Sequence, residues 1–315
     1  MKEFFNNQRI LDIIWKRKFH FIIIGVLAVI LAAVFSGPAF ITPKFKSSAR
    51  IYPTTNIFTF SDESETEQML EVVNSRDIKL RMFDAFDLPD VYGINTADPH
   101  YLTYMIDIYN TNVNASKTEF ETVEIRVLDE DPQRACNMCD SIIEFYNQKM
   151  GAMHAYKYQE VADIANHFMK QKEAELDSIS ENLQSLRNET EIVDFDIQVE
   201  EVTRGYMRSL SENNGGTQDG KIIKKQFDQL AENGINAYRL EKKFKKLSTV
   251  VDSLQMVQDV ALLEANKHIT YCHVVEAPVP ADKKSYPVRW LIVALSLISA
   301  LFAGLVIFLV LDYKK

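Results

Sequence analysis

The stretch WLIVALSLISALFAGLVIFLVL, residues 290–311, runs for 22 residues without a charge. A helix rises about 1.5 Å per residue and the hydrocarbon core of a bilayer is about 30 Å thick, so about 20 apolar residues are enough to cross it. Near the other end of the chain, FHFIIIGVLAVILAAVFSGPAFI, residues 19–41, is long enough in the same way. Its apolar run is unbroken from Phe21 to Phe35, and Pro38 is expected to kink or end the helix, because proline has no N–H to give the ladder. Two spans close to the ends, with nearly all the polar sequence between them, predict a membrane hairpin with both termini on one side. A cleaved secretory signal is the rival reading of the first segment. Pro43 and Lys44 stand where such cleavage needs small residues, and cleavage leaves the second span unpaired.

Basic residues at the membrane ends decide the orientation. Arg9, Lys16, Arg17, Lys18, Lys314 and Lys315 flank the spans on the tail side. On the loop side Lys44, Lys46, Arg50, Lys283, Lys284 and Arg289 nearly match them. The cluster Lys16–Lys18 precedes the first span, which usually dominates, and long loops translocate largely regardless of charge. Both tails are therefore expected in the cytoplasm and residues 42–289 outside it. The net charge of -9, with no basic tract beyond the membrane flanks, argues against a nucleic-acid partner. Three cysteines are too few for a disulfide-stapled scaffold.

Between the spans the sequence divides by periodicity. Ser48–Tyr52 opens a strand, and 65–88 carries helical spacing through Leu70, Val73, Leu80, Phe83 and Phe86, with Ser75 capping a second helix. In 122–128 Val123, Ile125 and Val127 alternate with Glu124 and Arg126, the period of a half-buried strand. Asp131 and Pro132 start a helix whose apolar face holds Ala135, Cys139, Ile142, Ile143 and Tyr146. From about Ala155 the composition turns to Glu, Lys, Gln and Ala, and a long helix is predicted through Ala162, Ala165, Met169, Lys172, Leu176, Ile179, Leu183, Leu186 and Val193. A second arm answers through Ile223, Phe227, Leu230, Ala237, Leu240, Phe244, Leu247, Val251, Leu254 and Ala261, joined to the first by a polar turn at 213–220. Ile269, Tyr271 and His273 then alternate in a return strand, and Pro278, Pro280 and Pro287 give a stiff lead-in to the second span. The fold class expected is an α+β membrane protein: two transmembrane helices flanking an α/β base, with a long antiparallel, coiled-coil-like helical hairpin. Its parts are a tail (1–18), the first span (19–41), the base (42–154), the hairpin (155–267, tip near 191–220), a return strand with the proline-rich segment (268–289), the second span (290–311) and a closing tail (312–315).

No catalytic, cofactor or metal site emerges. Gly215–Lys221 follows a phosphate-loop pattern, but Ile222 stands where a magnesium-holding hydroxyl is required and no buried strand precedes it; a glycine turn between helices explains it. Cys136 and Cys139 form a C-x-x-C after a strand without a parallel crossover around it, which reads as small helix residues rather than a redox pair. Cys272 and His273 are strand neighbours pointing to opposite faces, awkward for a shared zinc. Tyr101, Tyr104 and Tyr109 read as packing between strand and helix. Gly304, the one glycine of the second span, allows close helix approach.

The order of parts resembles the Wzz family of polysaccharide chain length determinants, or co-polymerases, of bacterial inner membranes. The residues that carry the resemblance are Ile10–Lys18 before the first span, Thr42-Pro43 leading into Ser48, Ala49 and Ile51, and Asn74-Ser75-Arg76. Asp131, Pro132 and Ala135 add to it, as does the closing stretch from Glu276-Ala277-Pro278 to Ser285-Tyr286-Pro287-Val288-Arg289. Cys139-Asp140 departs from the family's usual Ala-Asn, and the spacing from Pro280 to Pro287 is a variant of its proline ladder. The resemblance implies signature positions at the membrane edge, Pro43, Pro278, Pro280, Pro287 and Arg289, to which Gly304 is added. It implies a non-enzymatic regulator that sets the length of a lipid-linked surface polysaccharide, O-antigen foremost, as a homo-oligomeric ring in the inner membrane. Most of such a chain is periplasmic and both termini cytoplasmic. The implied partners are a Wzy-type polymerase contacted through the spans and the growing polymer. Tyrosine autokinases with the same outer architecture continue into a kinase after the second span, where only Asp312–Lys315 follow here. The alternative is an adaptor for capsule or exopolysaccharide export working with a separate cytoplasmic tyrosine kinase.

Overall fold

The computed structural model describes residues 11, 14–54, 62, 64–212 and 214–313, the last two by their backbone alone. Arg9, Ile10, Asp12, Ile13, Asn213, Lys314 and Lys315, all named above, lie outside the described residues. The chain forms two compact units, one from residues up to Met150 together with Thr270 onward, the other from Gly151 to Ile269.

The first unit starts with helix α1 (Lys18–Phe35), whose window of mean hydropathy 2.5 is long enough to cross a membrane. The helix stops six residues short of Ile41. Proline cannot donate to the ladder and its ring clashes with the carbonyl four residues back, so Ser36–Ile41 closes as turns in which Gly37 N–H donates to Val34 O. Strand β1 (Lys44–Pro53) follows, then α2 (Glu65–Val73) and α3 (Arg76–Ala85). A capping box that sequence reading missed sets the start of α2: Ser64 Oγ accepts from Glu67 N–H while the Glu67 carboxylate accepts from Ser64 N–H. Ser75 does precede α3, yet its hydroxyl makes no cap and accepts instead from Lys149 Nζ at 3.0 Å. The inward faces of α2 and α3 are Met69 and Val73, then Ile78, Met82 and Phe83.

A short α4 (Leu88–Val91) leads to α5 (Tyr101–Asn112) and strand β2 (Val113–Lys117), two elements absent from the sequence reading. Tyr109 of α5 is buried edge-on against Phe83 with ring centroids 5.5 Å apart, whereas Tyr104 is exposed. Strand β3 (Val123–Asp129) keeps strict alternation, with Val123, Ile125 and Val127 fully buried. It pairs antiparallel with β2 on one side and β1 on the other. Opposite Val127 and Ile125 stand Ser47 and Ala49, small residues that leave room for a helix on that face. That helix is the opening of α6 (Pro132–Thr190), with Ala135, Cys139, Ile142, Ile143 and Tyr146 all buried as expected. Strand β4 (Cys272–Glu276) adds to the far edge of β1, β5 (Lys284–Tyr286) pairs with the start of β1, and α9 (Arg289–Tyr313) closes the unit; the helices α7 and α8 between α6 and β4 belong to the second unit. The alternation expected for the return strand fails: Tyr271 and Cys272 are buried, while Ile269 and His273 are exposed. β4 is an edge strand, and beyond Cys272 its residues are exposed on both faces.

The second unit contains the rest of α6, then α7 (Phe195–Ser211) and α8 (Gln218–Ala265). The 59 residues of α6 form one helix without a break at Gly151. About 40 of them, from Gly151 on, rise roughly 60 Å at 1.5 Å per residue. The field of Glu264 reaches His154 near one end and Arg187 pairs with Glu241 at 3.5 Å toward the other, so α6 and α8 run antiparallel. Where two arms were expected there are three helices. Thr190 Oγ turns back onto Leu186 O at 2.6 Å, Glu191 takes φ 60, and Gln198 Oε1 accepts from Val193 and Asp194 N–H. The helix therefore ends there and α7 starts afresh behind an Asp194 cap. The break turns Val193 outward and Ile192 inward, against Leu230 and Ala237, with Leu186, Phe195 and Val202 around them. Tyr206 stacks on Phe227 at 4.5 Å.

Ile125 sits in the middle of the sheet, and its truncation removes three carbons from a closed core. Ile125→Ala should cost about 2–5 kcal/mol and lower the thermal midpoint of the purified protein by several degrees. Val274→Ala on the exposed face of β4 should stay within about 0.5 kcal/mol of the parent.

Candidate functional site

β1 gathers the chain segments that flank the two apolar helices. Pro43 immediately precedes it, half-buried, and its first residue pairs with Tyr286, so Pro43, Pro287 and Arg289 fall at one end of the sheet. Pro287 is buried and follows a cis peptide, while Arg289 is exposed at the start of α9. Further along, Ser47 Oγ donates to Val279 O at 3.0 Å, which fastens the segment between buried Pro278 and exposed Pro280 onto the strand. Prolines suit this role: no stray N–H is left to satisfy, and the extended backbone is preset. Five of the six positions that the resemblance implies as a signature thus lie beside β1, and the sixth, Gly304, lies apart from them within α9.

The two apolar helices pack antiparallel. Gly304 is buried in the contact, where an added Cβ meets Ile24 Cδ1 at 3.1 Å, and Gly25 does the same for Leu297 Cδ1 at 3.2 Å. Small residues on both helices let the backbones approach, which in a bilayer replaces the missing hydrophobic drive. Gly25 was invisible within its apolar run. At the tail end Phe308 takes Phe21 edge-on at 5.3 Å, and the Arg17 guanidinium sits 4.7 Å over its ring.

The discarded chemistries have geometric reasons. Cys136 and Cys139 are free and buried, and burial pushes the Cys139 thiol up to about 12, the opposite of a reactive thiolate. Cys272 is buried and its neighbour His273 exposed; among the described residues no His, Cys, Asp and Glu group can hold a metal. The glycine-rich stretch is a helix start: Thr217 Oγ1 caps α8 by accepting from Gly220 N–H at 3.2 Å. A Cβ on Gly220 lies 2.5 Å from Asn214 O, so close approach to the turn accounts for that glycine.

On the second unit, unpartnered apolar side chains lie on two helices. Tyr156, Ile164 and Phe168 of α6, with Gln159, Asp163 and His167, line a depression of about 430 Å³. Met256, Val257, Val260 and Leu263 of α8 are exposed at 48–68%. The sequence shows the inner stripe of these helices, and these outer apolar side chains fall outside it.

Residues 5–85 match the family model described as Wzz, chain length determinant protein. The match contains the motif before α1, Thr42-Pro43 with β1, and Asn74–Arg76. No curated protein matches the chain by sequence. Among solved structures the chain is similar to a full-length bacterial polysaccharide co-polymerase, at 12% identity over 96% of each chain with a TM-score of 0.46. It is similar to a fragment of the polysaccharide co-polymerase WzzB from Salmonella Typhimurium, at 9% identity over 78% of this chain and 100% of that one, TM-score 0.24. The wild-type lipopolysaccharide O-antigen chain-length regulator of Shigella flexneri is similar at 10% identity over 76% of this chain and 100% of that one, TM-score 0.25.

Two measurements follow from this geometry. None of the three cysteines should react with maleimide at pH 8 until the protein is unfolded, because all three are buried and burial raises each thiol's pKa, that of Cys139 to about 12. By the same linkage the stability carried by the protonated Cys139 thiol is complete below the unfolded value of about 9 and is lost as pH rises toward about 12. Gly304→Leu should force the two apolar helices apart and sharply lower disulfide crosslinking of a pair introduced as F21C and F308C. Val306→Leu on the exposed face should leave crosslinking unchanged.

Proposed function

We propose that this chain is a non-enzymatic regulator that sets the length of a lipid-linked surface polysaccharide, acting as an oligomer beside a separate membrane polymerase. The observation that carries the reading is the match of residues 5–85 to the chain length determinant model, over the first apolar helix, the proline entry and the strand that organises the base. In this reading α1 and α9 span the bacterial inner membrane with both tails cytoplasmic, the base and the helical unit lie in the periplasm, and O-antigen is the polymer. The ends of the two apolar helices that meet at Phe308 support tails on one side.

The exposed apolar side chains support assembly. Monomers rarely leave large apolar patches open, and such patches mark interaction surfaces. The stripe of Tyr156, Ile164 and Phe168 and that of Met256, Val260 and Leu263 stand on different helices, as two surfaces that copies in a closed ring can bring together. A ring of copies offers a growing polymer the same surface many times, and a protein acting by geometry needs no catalytic group.

Deleting the gene should leave polymer at the surface with its length distribution broadened on gel electrophoresis, and complementation should restore the ladder. Complementation with Ile164→Glu and Phe168→Glu together should reduce the assembly size and fail to restore it. Loss of surface polymer on deletion points instead to an export adaptor, and an unchanged ladder overturns the proposal.

A further inference from the structure

A polar cavity of about 190 Å³ opens where β1, β3, α5 and the start of α6 converge. Its polar walls are Lys44, Tyr92, Asn112, Asp129, Glu130 and Arg134; the rest of its lining is apolar. The room is about six times the roughly 30 Å³ that a water occupies in the liquid, too large for one bridging water. Two donors shut away from solvent there, Tyr92 Oη and Arg134 Nε, give their protons to no acceptor; the phenol oxygen is met only by the Asn112 amide. The Asn112 side chain lies beside the Tyr92 phenol, but its oxygen accepts from Lys44 Nζ at 2.6 Å. Asp129 is committed as well, taking Arg134 at 2.6 Å and the Asp131 N–H at 2.8 Å on one oxygen. The groups left to bind something are the remaining protons of Lys44 and Arg134, the Tyr92 hydroxyl and the exposed Glu130 carboxylate.

Position narrows the ligand. Lys44 is the third residue after Ile41, the end of the first apolar segment, so at about 3.3 Å per extended residue it lies at most about 10 Å from it, within reach of the headgroups. The headgroup layer on each side of the hydrocarbon core is roughly 5–8 Å deep. Charge narrows it further. Two cations and two carboxylates line the cavity, so a purely anionic group gains from Lys44 and Arg134 and is repelled by Glu130 and Asp129.

We propose that this cavity binds the zwitterionic phosphoethanolamine headgroup of a membrane phospholipid, its phosphate on Lys44, Arg134 and Tyr92 and its ammonium on Glu130. Guanidinium and ammonium donors suit phosphate oxygens, and a buried phenol supplies a neutral donor because burial raises its pKa. The cavity's ligand is then a lipid that holds the base against the bilayer. The inference rests on α1 and α9 being membrane spans, which retention of the full chain in carbonate-washed membranes checks separately.

Native mass spectrometry of the full chain in detergent, titrated with dioleoyl phosphatidylethanolamine or dioleoyl phosphatidylglycerol, tests it. The ethanolamine lipid should be retained about fivefold more than the glycerol lipid. Tyr92→Phe, which deletes a hydroxyl whose proton has no acceptor, and whose fold circular dichroism checks, should lower its retention by about fivefold, the worth of one hydrogen bond. Lys44→Gln should lower it at least as much, and inorganic phosphate should displace none. Equal retention of the two lipids, full retention by Tyr92→Phe, or displacement by inorganic phosphate, which would mark a site for a soluble anion, overturns the proposal. Should Lys44→Gln fail to fold, Tyr92→Phe alone decides.

Discussion

The structure depends on the backbone hydrogen bonding of one strand. β1 leaves the first apolar helix and is paired on both edges, with β3 along one side and with β4 and then β5 along the other. Its partners on that second side come from the opposite end of the chain, so one strand ties the exit of the first apolar helix to the entry of the second. Two irregularities in register, at Lys44/Phe45 and Arg50/Ile51, let it change partners between β5 and β4. Every ladder bond broken there leaves a polar group to be satisfied elsewhere, which makes the arrangement hard to slip. Ser47 adds a side-chain tie from the same strand to the proline segment.

Around that strand burial is divided unevenly. The sheet face under α6 is closed by Ile51, Val123, Ile125 and Val127, each worth about 1.5–3 kcal/mol when fully withdrawn from water. The helical unit buries far less. Ala162, Ala165, Ile179, Leu183, Leu230, Ala237, Leu247 and Ala261 form a thin inner seam, and large apolar side chains remain on the outer faces. A helical hairpin with so narrow a seam gains little from its own packing, and its open stripes have most to gain from further copies. Stability that grows with assembly is the expected behaviour of such a unit.

What could be read in the sequence follows from range. The two apolar helices, the alternating strand at Val123–Val127, the helix start at Asp131-Pro132 and the seams of the long helices are written in local period, and the structure keeps them. The tip was placed near 191–220, but the separate helix α7 within it was not legible, because no proline or glycine marks the break at 191–194. It arises where Thr190, Asp194 and Gln198 satisfy the backbone in competition with the helix. β2 was missed for another reason: Val113–Lys117 is a short, half-buried strand that pairs with β3 among the described residues, and pairing across the sheet is not a property of five residues. Of the signature positions, the prolines were legible as breakers, but their gathering along β1 depends on the β1–β5 register. The polar cavity was not legible at all. Its residues come from five places in the chain and meet because the start of β1 lies beside the ends of β3 and α5.

The account's central claim is that both ends of the chain are held on one side of a membrane and the base and helices work on the other. Cysteines introduced one at a time as K16C and E200C, both at exposed positions, and labelled with a membrane-impermeant maleimide in whole cells test it directly. The native thiols are buried and stay silent. Labelling of E200C in intact cells, with K16C labelled only after the inner membrane is opened, is the predicted result; the reverse pattern, or equal labelling of both before opening, contradicts it.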